Sequence, residues 1–159
     1  MKIFNQLNIP KNYKKSALAI GNFDGVHLGH QKVFKKAKDI AKSKKIKFGV
    51  MTFTPLPIMV FNKKIKNYRL ACERQKLKLF KKNNFDFVIN VNFSKSFFKI
   101  TAEDFIKKIL YQKLQVKLLV VSNNFKFGRN RKGDINLLKQ FSHTFGYNLL
   151  NIEPLKYLN

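Results

Sequence analysis

Short apolar runs alternate with amphipathic stretches along this chain. Ser16–Ile20 is a mostly apolar run closed by Gly21, the pattern of a strand buried on both faces. After a polar, glycine-bearing turn, Gln31–Ser43 sets Val33, Phe34, Ala37, Ile40 and Ala41 at helical spacing, with lysines on the other face. Ile46–Phe53 reads as a second strand, stopped by Pro55 and Pro57. Leu70, Leu77 and Phe80 predict a helix over Leu70–Lys82, and Phe85–Val91 a third strand. Thr101 followed by Asp104 has the form of an N-cap with an acidic N3 residue, opening a helix to Gln112. Leu118–Val121 is a fourth strand, Asp134 caps a helix through Phe145, and Asn148–Ile152 is a fifth.

Strand and helix alternate throughout, which predicts an α/β domain: a doubly wound, Rossmann-like parallel sheet of five strands with helices on both faces. No internal repeat, linker or domain boundary interrupts the pattern, and the chain is long enough for one core. Ligands of such sheets bind beyond the carboxyl ends of the strands, where the strand order reverses. Two strand-ending turns carry unusual residues, Gly21–His30 and Ser122–Asp134.

Composition narrows the class. Hydrophobic residues make up 45% of the chain and Phe alone occurs 17 times, which fits a folded globule and excludes a disordered tail. The single cysteine, Cys72, rules out an internal disulfide and fits a reducing cytoplasm. Met1–Lys15 contains no apolar signal core, and runs such as Leu118–Val121 are far too short to span a bilayer, so no membrane partner is expected. Basic residues outnumber acidic ones 33 to 8, for a net charge of +25. That excess attracts anions. It is nearly all lysine and scattered evenly, however, alongside many Asn, Ile and Phe residues, a drift toward AT-rich codons. Specific nucleic-acid readers cluster arginine with exposed aromatics, so no specific nucleic-acid partner is expected.

In the first turn, Gly21, Asn22, Phe23, Asp24, Gly25 and Gly29 surround His27 and His30. The glycines permit a tight turn and close approach of a ligand to the backbone. A helix starting near Gly29 offers unpaired amides and the positive end of its dipole to phosphate. Two histidines three positions apart can converge on one anion and stabilise charge in a transition state. No Cys, Asp or Glu set with zinc spacing accompanies them, so no protein-held metal is expected. His143 lies in a predicted helix and has the look of an ordinary surface or core residue.

His27-Leu28-Gly29-His30 resembles the HxGH signature of the nucleotidyltransferase superfamily, and the longer GNFDGVHLGHQ is similar to the string of bacterial FAD synthetases. The likeness runs along almost the whole chain. Thr52-Phe53-Thr54-Pro55-Leu56-Pro57 resembles the family's TFxPxP segment, where Thr54 and Leu56 replace an acidic residue and a histidine. Val120–Asp134 resembles VVGxDFRFGxxRxGD, with Ser122 for a glycine and Lys126 for an arginine. Its aromatics suit a flat ring and its arginine a phosphate. Asn124, Phe125, Phe127, Gly128 and Arg131 are therefore candidate flavin- or nucleotide-side contacts.

The resemblance implies an FMN adenylyltransferase in FAD biosynthesis. The phosphate of FMN attacks the α-phosphorus of ATP, with Mg2+, giving FAD and pyrophosphate. It implies His27 and His30 on the ATP phosphates, Gly21–Phe23 and Gly29 in the nucleotide bed, and Asp24 holding the turn or a metal-bound water. Residues 1–159 are expected to be a single adenylyltransferase domain that is incomplete. The family's SSTxIR motif and its riboflavin kinase domain have no counterpart in the sequence. Three alternatives stand beside this one: another HxGH nucleotidyltransferase, a silent flavin or nucleotide binder, and an RNA-binding protein. The oligomeric state is not encoded in any of these patterns.

Overall fold

The computed structural model describes residues 1–23, 25–62 and 73–153. All strands among these residues belong to one parallel sheet. They are β1 (Lys2–Phe4), β2 (Ala17–Ile20), β3 (Phe48–Thr54), β4 (Phe87–Asn92), β5 (Leu118–Ser122) and β6 (Asn148–Ile152), in the spatial order β1-β4-β3-β2-β5-β6.

The five expected strands are present, with β3 beginning at Phe48 rather than Ile46 and β4 at Phe87 rather than Phe85. The sheet has a sixth. β1 pairs with β4 at the sheet edge, and at three residues, with only Phe4 half-buried, it is too short and too wet to leave a period in the sequence.

Alternation along β2 divides the core. Ala17 and Ala19 face a cluster with Phe34, Ala37, Phe48, Val50 and Phe80. Leu18 and Ile20 face another with Met51, Phe87, Ile106, Leu119 and Leu138. Burial of both faces explains why β2 reads as a continuous apolar run.

The helices cover both faces. α1 (Leu28–Ser43) starts earlier than its apolar spacing suggests, because His27 serves as its N-cap. α2 (Pro57–Phe61) and α4 (Lys95–Phe98) are single turns after β3 and β4. α3 (Glu73–Lys82) covers all but the first three residues of the predicted Leu70–Lys82 helix; Leu70 lies outside the described residues. The helix expected from Thr101 begins there, with the Thr101 hydroxyl accepting from the Asp104 amide at 3.1 Å. α5 (Ala102–Asp104) then widens into a π-helical stretch, Phe105–Lys113, closed by the Leu114 amide on the Ile109 carbonyl at 2.9 Å. α6 (Ile135–Phe145) is capped by Asp134, whose carboxylate accepts from the amides of Asn136 and Leu137. A left-handed Gly146 ends it.

Among the described residues, no helix is long and apolar enough to cross a membrane.

Candidate active site

From β2 the chain builds β3 and β4 to one side, then returns to place β5 on the other. The strand order therefore reverses between β2 and β5. β2 runs into Gly21 and β5 ends at Ser122, so both unusual turns hang over the same end of the sheet.

A cavity of about 880 Å³ opens there. Asn124, Phe125, Phe127, Gly128 and Arg131 all line it, joined by Gly21 and Asn22 of the first turn. The rest of the lining is apolar: Leu56 of the TFxPxP-like segment, with Phe61, Phe97, Phe98 and Phe105, the last with its ring 5.3 Å from that of Phe127.

The second turn is held from several directions. The Phe127 and Gly133 backbones exchange two hydrogen bonds, of 3.1 and 2.9 Å, and the rings of Phe125 and Phe127 lie 5.4 Å apart and 18° from parallel. Gly128 has φ +73°, and a Cβ there would meet the Ala102 backbone at 2.6 Å, so no other residue fits without moving α5. Asn130 and Arg131 are also left-handed, at φ 57° and 55°, an uncommon conformation for side-chain-bearing residues, concentrated here at the rim of the cavity. The Ser122 hydroxyl donates to Asn124 Oδ1 at 2.8 Å, fixing that amide. Lys126 pairs with Asp134 at 3.3 Å. The Asp134 carboxyl is held below the usual range, first by the Leu137 amide, with Lys126 and the Asn136 amide adding to it.

The first turn brings the imidazoles together. The ring centroids of His27 and His30 are 3.7 Å apart, and His27 Nδ1 accepts from the His30 amide at 3.4 Å as the cap of α1. His27 is exposed, while Gly29 is buried in the first helical turn. His30 lies edge-on to Phe23 at 5.5 Å and stacks on Phe34 at 5.9 Å. Its Nδ1 is buried without a hydrogen-bond partner. Burial, and secondarily the neighbouring His27, push the His30 pKa down to about 4.

Neither imidazole lines the cavity; the turn links them to it, from Asn22 in the lining to Phe23, whose ring lies 5.5 Å from that of His30. Phe23 differs from its expected place in a nucleotide bed. Its ring is only 6% exposed and packs into the α1 core, so its backbone alone faces the turn. Gly25 is left-handed, at φ +86°, and Asp24 lies outside the described residues. His143 is exposed on α6, away from both turns. Among the described residues, no group of three His, Cys, Asp or Glu side chains is placed to hold a metal ion.

A reversed strand order, a capped helix N-terminus bearing two imidazoles, and a flat-walled cavity beside it define an α/β nucleotidyltransferase-like domain. A family model described as FAD synthetase matches residues 9–159. The chain belongs to the FAD synthetase family.

A curated relative from Buchnera aphidicola subsp. Acyrthosiphon pisum (strain APS), named bifunctional riboflavin kinase/FMN adenylyltransferase, is 40% identical over 156 residues, or 98% of this chain and 50% of the relative. The Escherichia coli (strain K12) protein of the same name is 34% identical over 136 residues, 86% of this chain and 44% of its own length. A Listeria monocytogenes FAD synthetase is 28% identical across 92% of this chain and 59% of its own. The chain thus spans about half the length of the curated relatives it matches.

Among solved structures, a Streptococcus pneumoniae protein described as a macrolide-efflux protein superposes with a TM-score of 0.81 at 21% identity, over 99% of this chain and 52% of that one. Pantoate-beta-alanine ligase from Francisella tularensis, solved with Beta-gamma ATP and Beta-alanine, gives 0.61 at 14% identity, over 99% and 69%. These likenesses are of fold alone.

Proposed function

We propose that residues 1–159 carry out adenylyl transfer to FMN. A phosphate oxygen of FMN attacks the α-phosphorus of ATP, the bond to the bridging oxygen of pyrophosphate breaks, and FAD and pyrophosphate leave. The observation that carries this reading is the cavity lined by the second turn at the strand reversal, beside the paired imidazoles, in a member of the FAD synthetase family.

On this reading Phe125 and Phe127 offer their faces to the flavin ring system, against the apolar wall of Leu56, Phe61 and Phe97. Arg131 at the rim suits a phosphate through its planar donor fork. Gly21 and Asn22 form the floor shared by the two substrates. The α1 N-terminus, with Gly29 and the His27 and His30 rings, receives the triphosphate. His30 works as a neutral imidazole at physiological pH, donating a hydrogen bond as charge builds on the transferring group. No nucleophile–base pair is required, since catalysis here is positioning plus charge stabilisation.

Mg2+ belongs to this proposal as the counter-ion of ATP. It keeps its waters and binds through substrate phosphates, and among the described residues no side-chain set would hold it independently. A cytoplasmic location follows from the same substrates, and no nucleic-acid or membrane partner is invoked.

The test offers the purified protein ATP, Mg2+ and either FMN, phosphopantetheine or nicotinamide mononucleotide. FAD and pyrophosphate are expected in equal amounts with FMN alone. Product with either other acceptor, or FMN binding without any turnover, would contradict the reading.

A further inference from the structure

We propose that Thr52 is a positioning residue that sets the angle of the imidazole-bearing turn, an inference that rests on the adenylyl-transfer reading above. Met51 and Phe53, on either side of Thr52 in β3, belong to the core on one face of the sheet. Strand alternation therefore turns Thr52 to the other face, with Val50 and the α1 core. It is 4% exposed there, one of few buried polar side chains among the described residues.

Buried hydroxyls are bonded, and the partner of this one is informative. Thr52 Oγ1 donates to the carbonyl oxygen of Asn22 at 3.3 Å. The parallel ladder between β2 and β3 ends at the Ile20–Met51 pair, followed by the Gly21 amide on the Met51 carbonyl at 3.1 Å. The Thr52 hydroxyl carries the attachment one residue further, past the end of the strand and into the turn.

The peptide it holds is the one at which the turn splits. Asn22 is exposed and lines the cavity. Phe23, with φ +46°, doubles back into the core, where its ring meets Phe34 at 5.3 Å and Phe80 at 6.1 Å and supports the edge of His30. A left-handed, bulky residue keeps that conformation only when its surroundings impose it. The Phe23 ring pocket does so on one side and the Thr52 hydroxyl on the other. Thr52 touches no substrate site itself, yet the carbonyl it holds joins the cavity floor to the residue that props His30.

The decisive comparison sets Thr52→Val and Thr52→Ala, which both remove the hydroxyl, against Thr52→Ser, which keeps it. The first readout needs no turnover: the imidazole resonances of His27 and His30 in the free protein. The second is kcat, with separate KM values for ATP and FMN, alongside the melting temperature.

The hydroxyl-less variants are expected to move the His30 resonance and to lower kcat about tenfold, the size of effect that a misplacement well under 1 Å produces. Thr52→Ser should restore both. A His30 resonance unmoved in Thr52→Val or Thr52→Ala, or a Thr52→Ser protein no better than they are, overturns the inference. A role in stability alone would lower the melting temperature and leave the resonance and kcat in place, which also rejects it. Were the wild type to form no FAD, the adenylyl-transfer reading would fall while the resonances still decided the role of Thr52.

Discussion

The ring of His30 stands in an aromatic cleft with a second imidazole 3.7 Å away, and both surroundings oppose a positive charge. Its pKa falls from the ordinary value near 6.5 to about 4. Between those two values the unfolded chain binds a proton that the folded chain refuses. Stability contributed by the neutral ring is therefore complete above pH 6.5 and is lost as the pH falls toward 4. Because the ring is only partly covered, solvent screening leaves about 1 kcal/mol of this at most. His30→Gln should accordingly flatten the fall in melting temperature between pH 6.5 and 4.5, measured by thermal unfolding; an unchanged slope would contradict the assignment.

That the two imidazoles meet was legible in the sequence, because residues three apart at the start of a helix fall on one side of it. The burial of Phe23 was not. An aromatic residue in a turn can point either way, and only the left-handed backbone sends this one inward.

The second turn works as a unit. Gly128 closes it against α5, and its left-handed backbone would strain any replacement. Gly128→Ala should weaken FMN binding at least tenfold in a flavin-fluorescence titration, while the ATP-side turn, attached through β2 and β3, is left in place. Phe125→Ala should cost about 1 kcal/mol or more of FMN affinity in the same titration, the contribution of one stacking face.

The five principal strands, the Thr101 and Asp134 caps and the second-turn residues follow from apolar period and local motif. β1, α2 and α4 do not, since a strand of three residues and helices of one turn are too short to display a period. The apolar remainder of the cavity lining was hidden for a different reason. Phe61 and Phe98 meet across 37 positions of sequence, with ring centroids 4.5 Å apart, and only the packed structure shows that they border an opening.

The whole molecule carries +25 in formal charge over 159 residues. Both proposed substrates, ATP and FMN, are anions, so the field should raise their encounter rate without touching the chemical step. kcat/KM for ATP should fall as NaCl rises from 50 to about 300 mM, the range over which the Debye length shrinks below 10 Å, with kcat nearly constant. A nucleic-acid protein would instead lose RNA affinity steeply with salt, whether or not His27 and His30 were intact.

The central claim concerns the meeting of two sites at one strand reversal: imidazoles on the triphosphate beside a flavin in the cavity. Its most direct test measures FAD formation and FMN affinity together in the His27→Ala/His30→Ala protein. Synthesis should fall at least 10²-fold, as for loss of a transition-state donor, with FMN affinity within about threefold of the wild type. Undiminished synthesis in that protein would contradict the account.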